Sequence, residues 1–191
     1  MSYISKNKTI TLNSQTWWVN SAKSGLYTKQ LTSMVNQVDN MLGYHSKVLA
    51  IRFDLRLYEY TPNNKIITVF NRRLFKWLIR KYGVTRICFA WCRERETAKQ
   101  QHYHYVLLLD GHKVRHPYEI LLRIKEVWET QLDGSIYTPK NCYYNIRRDN
   151  RQSIQDAIWR ISYLAKARGK GYRDKQAKDY GASRIKQPVQ E

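Results

Sequence analysis

The stretch His102-Tyr103-His104-Tyr105-Val106-Leu107-Leu108-Leu109-Asp110 leaves the chain few options. An alternating apolar run of this kind marks a β-strand, and on a strand residues i and i+2 point to the same face. His102 and His104 then share a face, with Cα atoms roughly 6.6 Å apart, about twice the strand rise. Two imidazoles at that spacing can converge on one metal ion. Residues 47–60 alternate just as cleanly: Leu49, Ile51, Phe53, Leu55 and Leu57 form one side, and Arg52, Asp54 and Arg56 the other. That pattern predicts a strand with an apolar side on the core and a charged side open.

Around these two strands the remaining periodicities suggest an order of elements. Leu31, Met34, Val35, Val38 and Leu42 recur at helical spacing over residues 28–42. Pro62-Asn63-Asn64 ends the first strand, and residues 72–82 read as a short helix stopped at Gly83. Residues 84–96, a polar turn and residues 102–110 make a hairpin. Residues 117–132 form a helix with proline in its first turn, a short strand covers 142–147, and the last helix spans 153–168. The expected fold is α+β, an antiparallel central sheet carrying the His-Tyr-His strand with helices packed on one face. The other face is then free to bind a partner. Residues 1–45 are expected to be an N-terminal arm and helix, 46–168 the main domain, and 169–191 a loosely held basic tail.

Composition narrows the partner. The 191 residues suffice for one domain with a real core. Thirty-four Lys and Arg against 15 Asp and Glu give a net charge of +19, which calls for a polyanion, nucleic acid being commoner than membrane. Fifteen Tyr and six Trp add rings that can stack on unpaired bases; the pair Trp17-Trp18 is one candidate. Cys88, Cys92 and Cys142 do not make a disulfide framework. No apolar run has the length of a membrane span and the N-terminus lacks the core of a signal peptide. A soluble cytoplasmic protein with no membrane partner is expected.

The hairpin brings Glu94 or Glu96 beside the histidines, because directly paired side chains lie only about 5 Å apart at Cβ. Two imidazoles and one carboxylate leave positions open on a divalent ion, and mixed N/O ligation suits Mn²⁺ or Mg²⁺ working on phosphate. A zinc site using Cys88 and Cys92 is disfavoured, since residues four apart on a strand are about 13 Å apart. The candidate nucleophile is Tyr163, in Ser162-Tyr163-Leu164-Ala165-Lys166. Lys166, one helical turn on, is expected to favour its phenolate. Arg52 and Arg56 are candidates to carry a DNA backbone, and Lys170, Arg173, Lys175, Lys178, Arg184 and Lys186 in the tail add phosphate attraction.

The order VLAIRFDLRLY, HYHYVLLLD and SYLAK resembles the HUH endonucleases, which include rolling-circle replication initiators and relaxases. With WCRERE and KDYGASR, the chain looks more closely like the inovirus-type replication proteins of filamentous-phage-like elements and cryptic prophages. The resemblance runs over residues 47–184. It implies His102 and His104 as metal ligands with Glu94 as the third, Glu96 as its substitute. It also implies Tyr163 as the single nucleophilic tyrosine, with Lys166 helping to hold metal or phosphate, and Tyr180 as a tail residue. The implied activity is metal-dependent nicking and rejoining of single-stranded DNA, or of a DNA hairpin at a replication origin, through a 5′-phosphotyrosine link. A Gly-x-x-x-x-Gly-Lys-Ser/Thr loop is absent from the sequence, so unwinding would fall to another protein, a host helicase being the natural partner. Two other readings predict different behaviour: a non-catalytic nucleic-acid-binding regulator forms no adduct, and a nuclease using water tolerates loss of Tyr163.

Overall fold

The N-terminal residues, which carry no long apolar period, fold as short antiparallel strands. β1 (Ile4–Ser5), β2 (Thr9–Leu12), β3 (Gln15–Trp18) and β4 (Leu26–Tyr27) pair as β1–β4 and β2–β3. The computed structural model describes residues 3–95, 101–171 and 174–189. Asn13 and Ser14 join β2 to β3 with φ of 51° and 61°, the left-handed pair that suits a tight hairpin. Trp17, Val19 and Leu26 are buried in the same core cluster as the next helix. The segment expected to be an arm is thus part of the packed body, because a single buried indole and two aliphatics are enough to seat so short a hairpin.

Helix α1 (Thr28–Tyr44) buries Leu31, Met34, Val35, Val38, Met41 and Leu42. Strand β5 (Lys47–Leu57) follows, then α2 (Lys65–Tyr82), closed by Gly83 at φ 60°. α2 starts well before the expected residue 72. Its first turns, Lys65 to Asn71, include β-branched Ile66, Ile67, Thr68 and Val69, which weaken the helical signal locally, yet Ile67 and Phe70 are core residues. Strands β6 (Cys88–Glu94) and β7 (His102–Asp110) are the expected hairpin; its turn, with Glu96, lies outside the described residues. α3 (Tyr118–Lys125) runs into a wider turn over Glu126–Thr130, and β8 (Gly134–Tyr137) was not foreseen. β9 (Tyr143–Arg147) leads to α4 (Arg151–Ser162), whose cap is Asn150 accepting from the Ser153 N–H at 3.0 Å. β10 (Tyr180–Ala182) ends the fold.

The central sheet has the order β10-β6-β7-β5-β8, with β9 also paired to β5 and every pairing antiparallel. The α+β class and antiparallel sheet are as expected, but the helices occupy both faces. Leu49, Ile51, Phe53, Leu55, Tyr103, Tyr105 and Leu107 pack with side chains of α2 and α3. Val48, Ala50, Cys88, Ala90, Val106 and Leu108, on the opposite face, pack with α1 and α4. Further along, that second face changes character to Arg52, Asp54, Glu94, His102 and His104. The helices cover its apolar end and leave the polar end as a site.

The tail is also corrected. Tyr180 pairs with Cys92 as the sheet's edge strand, and the Ile185 carbonyl accepts from the Gln37 side chain at 3.0 Å. Gly134 shows how tightly the far edge is built: a Cβ there would lie 2.5 Å from the Arg56 carbonyl oxygen and crowd Trp128, whose indole N–H donates to that oxygen at 2.8 Å. Gly134→Ala is expected to destabilise the fold by about 1–3 kcal/mol, read as a lower midpoint in urea unfolding.

Candidate metal centre

The register of the hairpin sets Glu94 directly across from His102, and Cys92 across from His104. All four point to the polar face. One ligand atom from each of Glu94, His102 and His104 falls within 4.8 Å of the others, the distance range a shared ion requires. His104 Nε2 lies 3.1 Å from Glu94 Oε2, and His102 Nε2 lies 3.6 Å from the same oxygen. Glu94 and His104 are buried while His102 is partly exposed, so the cluster is reachable from one side. The donor set fits a divalent cation: two imidazoles and a carboxylate, with room for further oxygen ligands. Cys92 is buried and its thiol is pushed up to about 12, by burial first; it behaves as a filler.

Asp54 completes the arrangement and was not assigned to it from sequence. β5 pairs with β7 so that Asp54 opposes His104, and its Oδ1 lies 2.7 Å from His104 Nδ1. That contact fixes the ring and aims Nε2 at Glu94, the carboxylate–histidine support typical of metal ligands. Burial opposes a charged His104, but the hydrogen bonds to Asp54 and Glu94 prevail and raise its pKa. Burial likewise opposes a charged Glu94, yet hydrogen bonds from His102 and His104 and the charge of Lys170 hold its carboxyl far below the usual range. The carboxylate is therefore ionised.

Lys170, expected in the tail on DNA phosphates, is instead buried, with Nζ 2.8 Å from Glu94 Oε1. Gly169 turns the chain into this position at φ +71°, a left-handed conformation that favours glycine, and its carbonyl accepts from the Arg95 N–H at 2.8 Å.

α4 ends at Ser162, so Tyr163 sits in a 3₁₀ turn (Tyr163–Ala165) rather than inside a helix. Its ring meets the His104 ring edge-on, centroids 5.2 Å apart. Arg52 Cζ and Lys166 Nζ lie 4.8 and 5.0 Å from the Tyr163 centroid. The phenol is nonetheless raised, by burial and then by the Glu94 charge, and Arg52 is the cation that pulls it back. The expectation that Lys166 would ease its ionisation is not met: burial, and the nearby charge of Lys23, push the Lys166 ammonium down as well. Arg52 is not on an open face. It is buried, 3.3 Å from Asp54 Oδ1 and 3.4 Å from His104 Nδ1. Arg56 is exposed opposite His102, stacked over Tyr137 at 5.1 Å. Arg184 lines a different cleft with Phe89 and Trp91, which face away from Glu94. Arg173 lies outside the described residues.

An antiparallel sheet presenting a His-x-His pair and a carboxylate beside a half-buried tyrosine defines the class: an α+β domain with a candidate metal centre. The chain belongs to the YagK/YfjJ C-terminal domain family, whose model matches residues 6–183, a family associated with cryptic prophages. No curated protein and no solved structure matches it. No helix among the described residues is long and apolar enough to cross a membrane.

The metal centre has a direct check. A divalent cation that the cluster binds, supplied at about 100 times its dissociation constant, is expected to stabilise the wild type by about 2.7 kcal/mol. His104→Ala should show no such rise in melting temperature, and EDTA should reverse it in the wild type.

Proposed function

We propose that this protein nicks and rejoins single-stranded DNA through Tyr163, with a divalent ion, Mn²⁺ or Mg²⁺, held by Glu94, His102 and His104. The observation that carries the reading is the contact of the Tyr163 ring with His104, a residue of the metal cluster, at 5.2 Å. A nucleophile and a phosphate-polarising centre have to be that close for in-line attack. When bound, the ion supplies Lewis acidity at the scissile phosphate. Asp54 and Arg52 fix His104, and His102, His104 and then Lys170 keep Glu94 ionised in the ion's absence. Arg56, beside His102, is suited to meet the DNA backbone.

In the reaction the Tyr163 oxygen bonds to phosphorus while the bond to the 3′-oxygen breaks. The leaving oxygen keeps the electron pair and takes up a proton, balancing the one Tyr163 gives up. A 5′-phosphotyrosine link and a free 3′-hydroxyl result, and reversal by a 3′-hydroxyl rejoins the strand with no nucleotide cofactor. A free 3′-end primes synthesis, so the role best served is initiating rolling-circle replication of a phage- or plasmid-like element. The substrate is single-stranded DNA or an origin hairpin, with a host helicase as partner.

The test is a denaturing-gel adduct assay with labelled single strands from the flanking DNA of the element, with Mn²⁺ and with EDTA. A metal-dependent band of protein plus DNA is the expected result. A second reading draws support from the Lys170–Glu94 ion pair, which already supplies the cluster with a cation: a regulator that binds nucleic acid without cutting. It predicts binding that survives EDTA and no adduct on any strand.

A further inference from the structure

The N-terminal hairpin carries a feature that the metal centre does not use. Trp18, at the end of β3, is 57% exposed, and Trp159 on α4 is 45% exposed. Both rings line one cleft of about 450 Å³, together with Lys6, Lys8 and Lys23. Its remaining lining is Val19, Ser21 and Ala22, so no carboxylate borders it. Two indoles exposed on one cleft form an apolar patch rather than singly scattered surface residues.

The cleft is held rigidly. The side-chain amide of Gln155, one turn before Trp159, accepts from the Trp18 N–H and donates to the Trp18 carbonyl, each at 2.9 Å. Gln155 thereby pins β3 to α4 as a neighbouring strand would. One turn on, buried Ser162 accepts from the Asn20 N–H at 2.9 Å. The same helix ends at Ser162, directly before Tyr163, and the segment after Lys23 runs alongside the next residues: the Ala167 N–H donates to the Gly25 carbonyl at 3.1 Å, and Leu26 bridges to Lys166. Cleft and candidate nucleophile are therefore mounted close together, Trp159 in the last turn of α4 and Tyr163 in the 3₁₀ turn that follows it.

We propose that this cleft binds the unpaired strand of single-stranded nucleic acid, a base resting against Trp18 and Trp159 and its phosphates meeting Lys6, Lys8 and Lys23. Every base has a π-face, so indole stacking holds a strand without choosing its sequence, and clustered lysines without carboxylates match a polyanion. A volume of about 450 Å³ lies within the ~300–1,000 Å³ of small-ligand sites, enough for a base but too small for a duplex. The inference rests on single-stranded DNA as the substrate of the neighbouring centre, and it does not require that centre to cut.

The experiment is fluorescence anisotropy in EDTA with a labelled oligothymidylate of about 16 nucleotides, on the full chain. Trp18→Ala and Trp159→Ala are each expected to weaken binding about 5- to 150-fold, and Lys23→Glu to weaken it and flatten the salt dependence. Duplex of the same length should bind equally to the wild type and the two Trp variants, which change no charge. Melting temperatures within a few degrees of wild type confirm that the exposed indoles were removed without unfolding. Unchanged oligothymidylate affinity in both Trp variants would overturn the proposal, as would lost binding to phosphatidylserine vesicles with oligothymidylate binding intact. A chain that forms no adduct yet shows the Trp dependence in EDTA refutes the nicking reading and leaves the cleft standing. Normal adduct with no Trp dependence does the reverse.

Discussion

Tyr163→Phe is expected to remove covalent capture of single-stranded DNA altogether, a loss on the order of 10⁴-fold or more in rate, with binding in EDTA unchanged. The substitution deletes one oxygen and keeps the ring that packs edge-on against His104 and lies under Arg52 and Lys166. The fold and the metal cluster therefore have no reason to move, and the melting shift with Mn²⁺ should match the wild type. Burial raises the phenol, so the unaided group is a poor nucleophile near neutrality. A divalent cation beside His104 would add positive charge next to the phenol. Cleavage that persists in the Phe variant would assign attack to water and sink the covalent mechanism.

How far the sequence could lead is visible in which contacts were local. Alternation along 47–60 and 102–110 located β5 and β7, and hairpin parity put Glu94 on the histidine side, because those features depend on neighbours a few residues apart. The register then settled which glutamate meets His102. Alternation places Asp54 no further than on an open, charged strand side. Its meeting with His104 depends on the pairing of β5 with β7, and a period of two looks the same whichever strand lies alongside. Lys170 escaped for a related reason: its partner is 76 positions away, and a basic residue in a basic tail carries no local mark of burial. The N-terminal hairpin turns at Asn13-Ser14 without the glycine that usually announces such a turn, so its packed Trp17 and open Trp18 could not be told apart.

Asp54→Asn then isolates the part of the site that only the structure reveals. Asn is nearly isosteric and can still accept from His104 Nδ1 across the 2.7 Å contact, so the ring stays close to its place while the negative charge behind it is gone. Loss of such an outer partner typically costs 10- to 100-fold in metal affinity or activity, and Mn²⁺ titration followed by melting temperature should show a drop in affinity of about that size. Arg52 loses its charged partner at 3.3 Å in the same step, so some loss of metal-free stability accompanies it, of a few kcal/mol at most. The two effects separate at high metal. If Asp54 acts by positioning His104, adduct formation should return to within a few-fold of wild type at saturating Mn²⁺, with the Mn²⁺ requirement shifted upward. His104→Ala, which deletes the ligand itself, should not be rescued at any concentration. An Asn variant that is as slow at saturating metal as at low metal would mean that Asp54 acts directly on the reacting groups, and one with unaltered Mn²⁺ affinity would mean that the His104–Asp54 contact serves the fold alone.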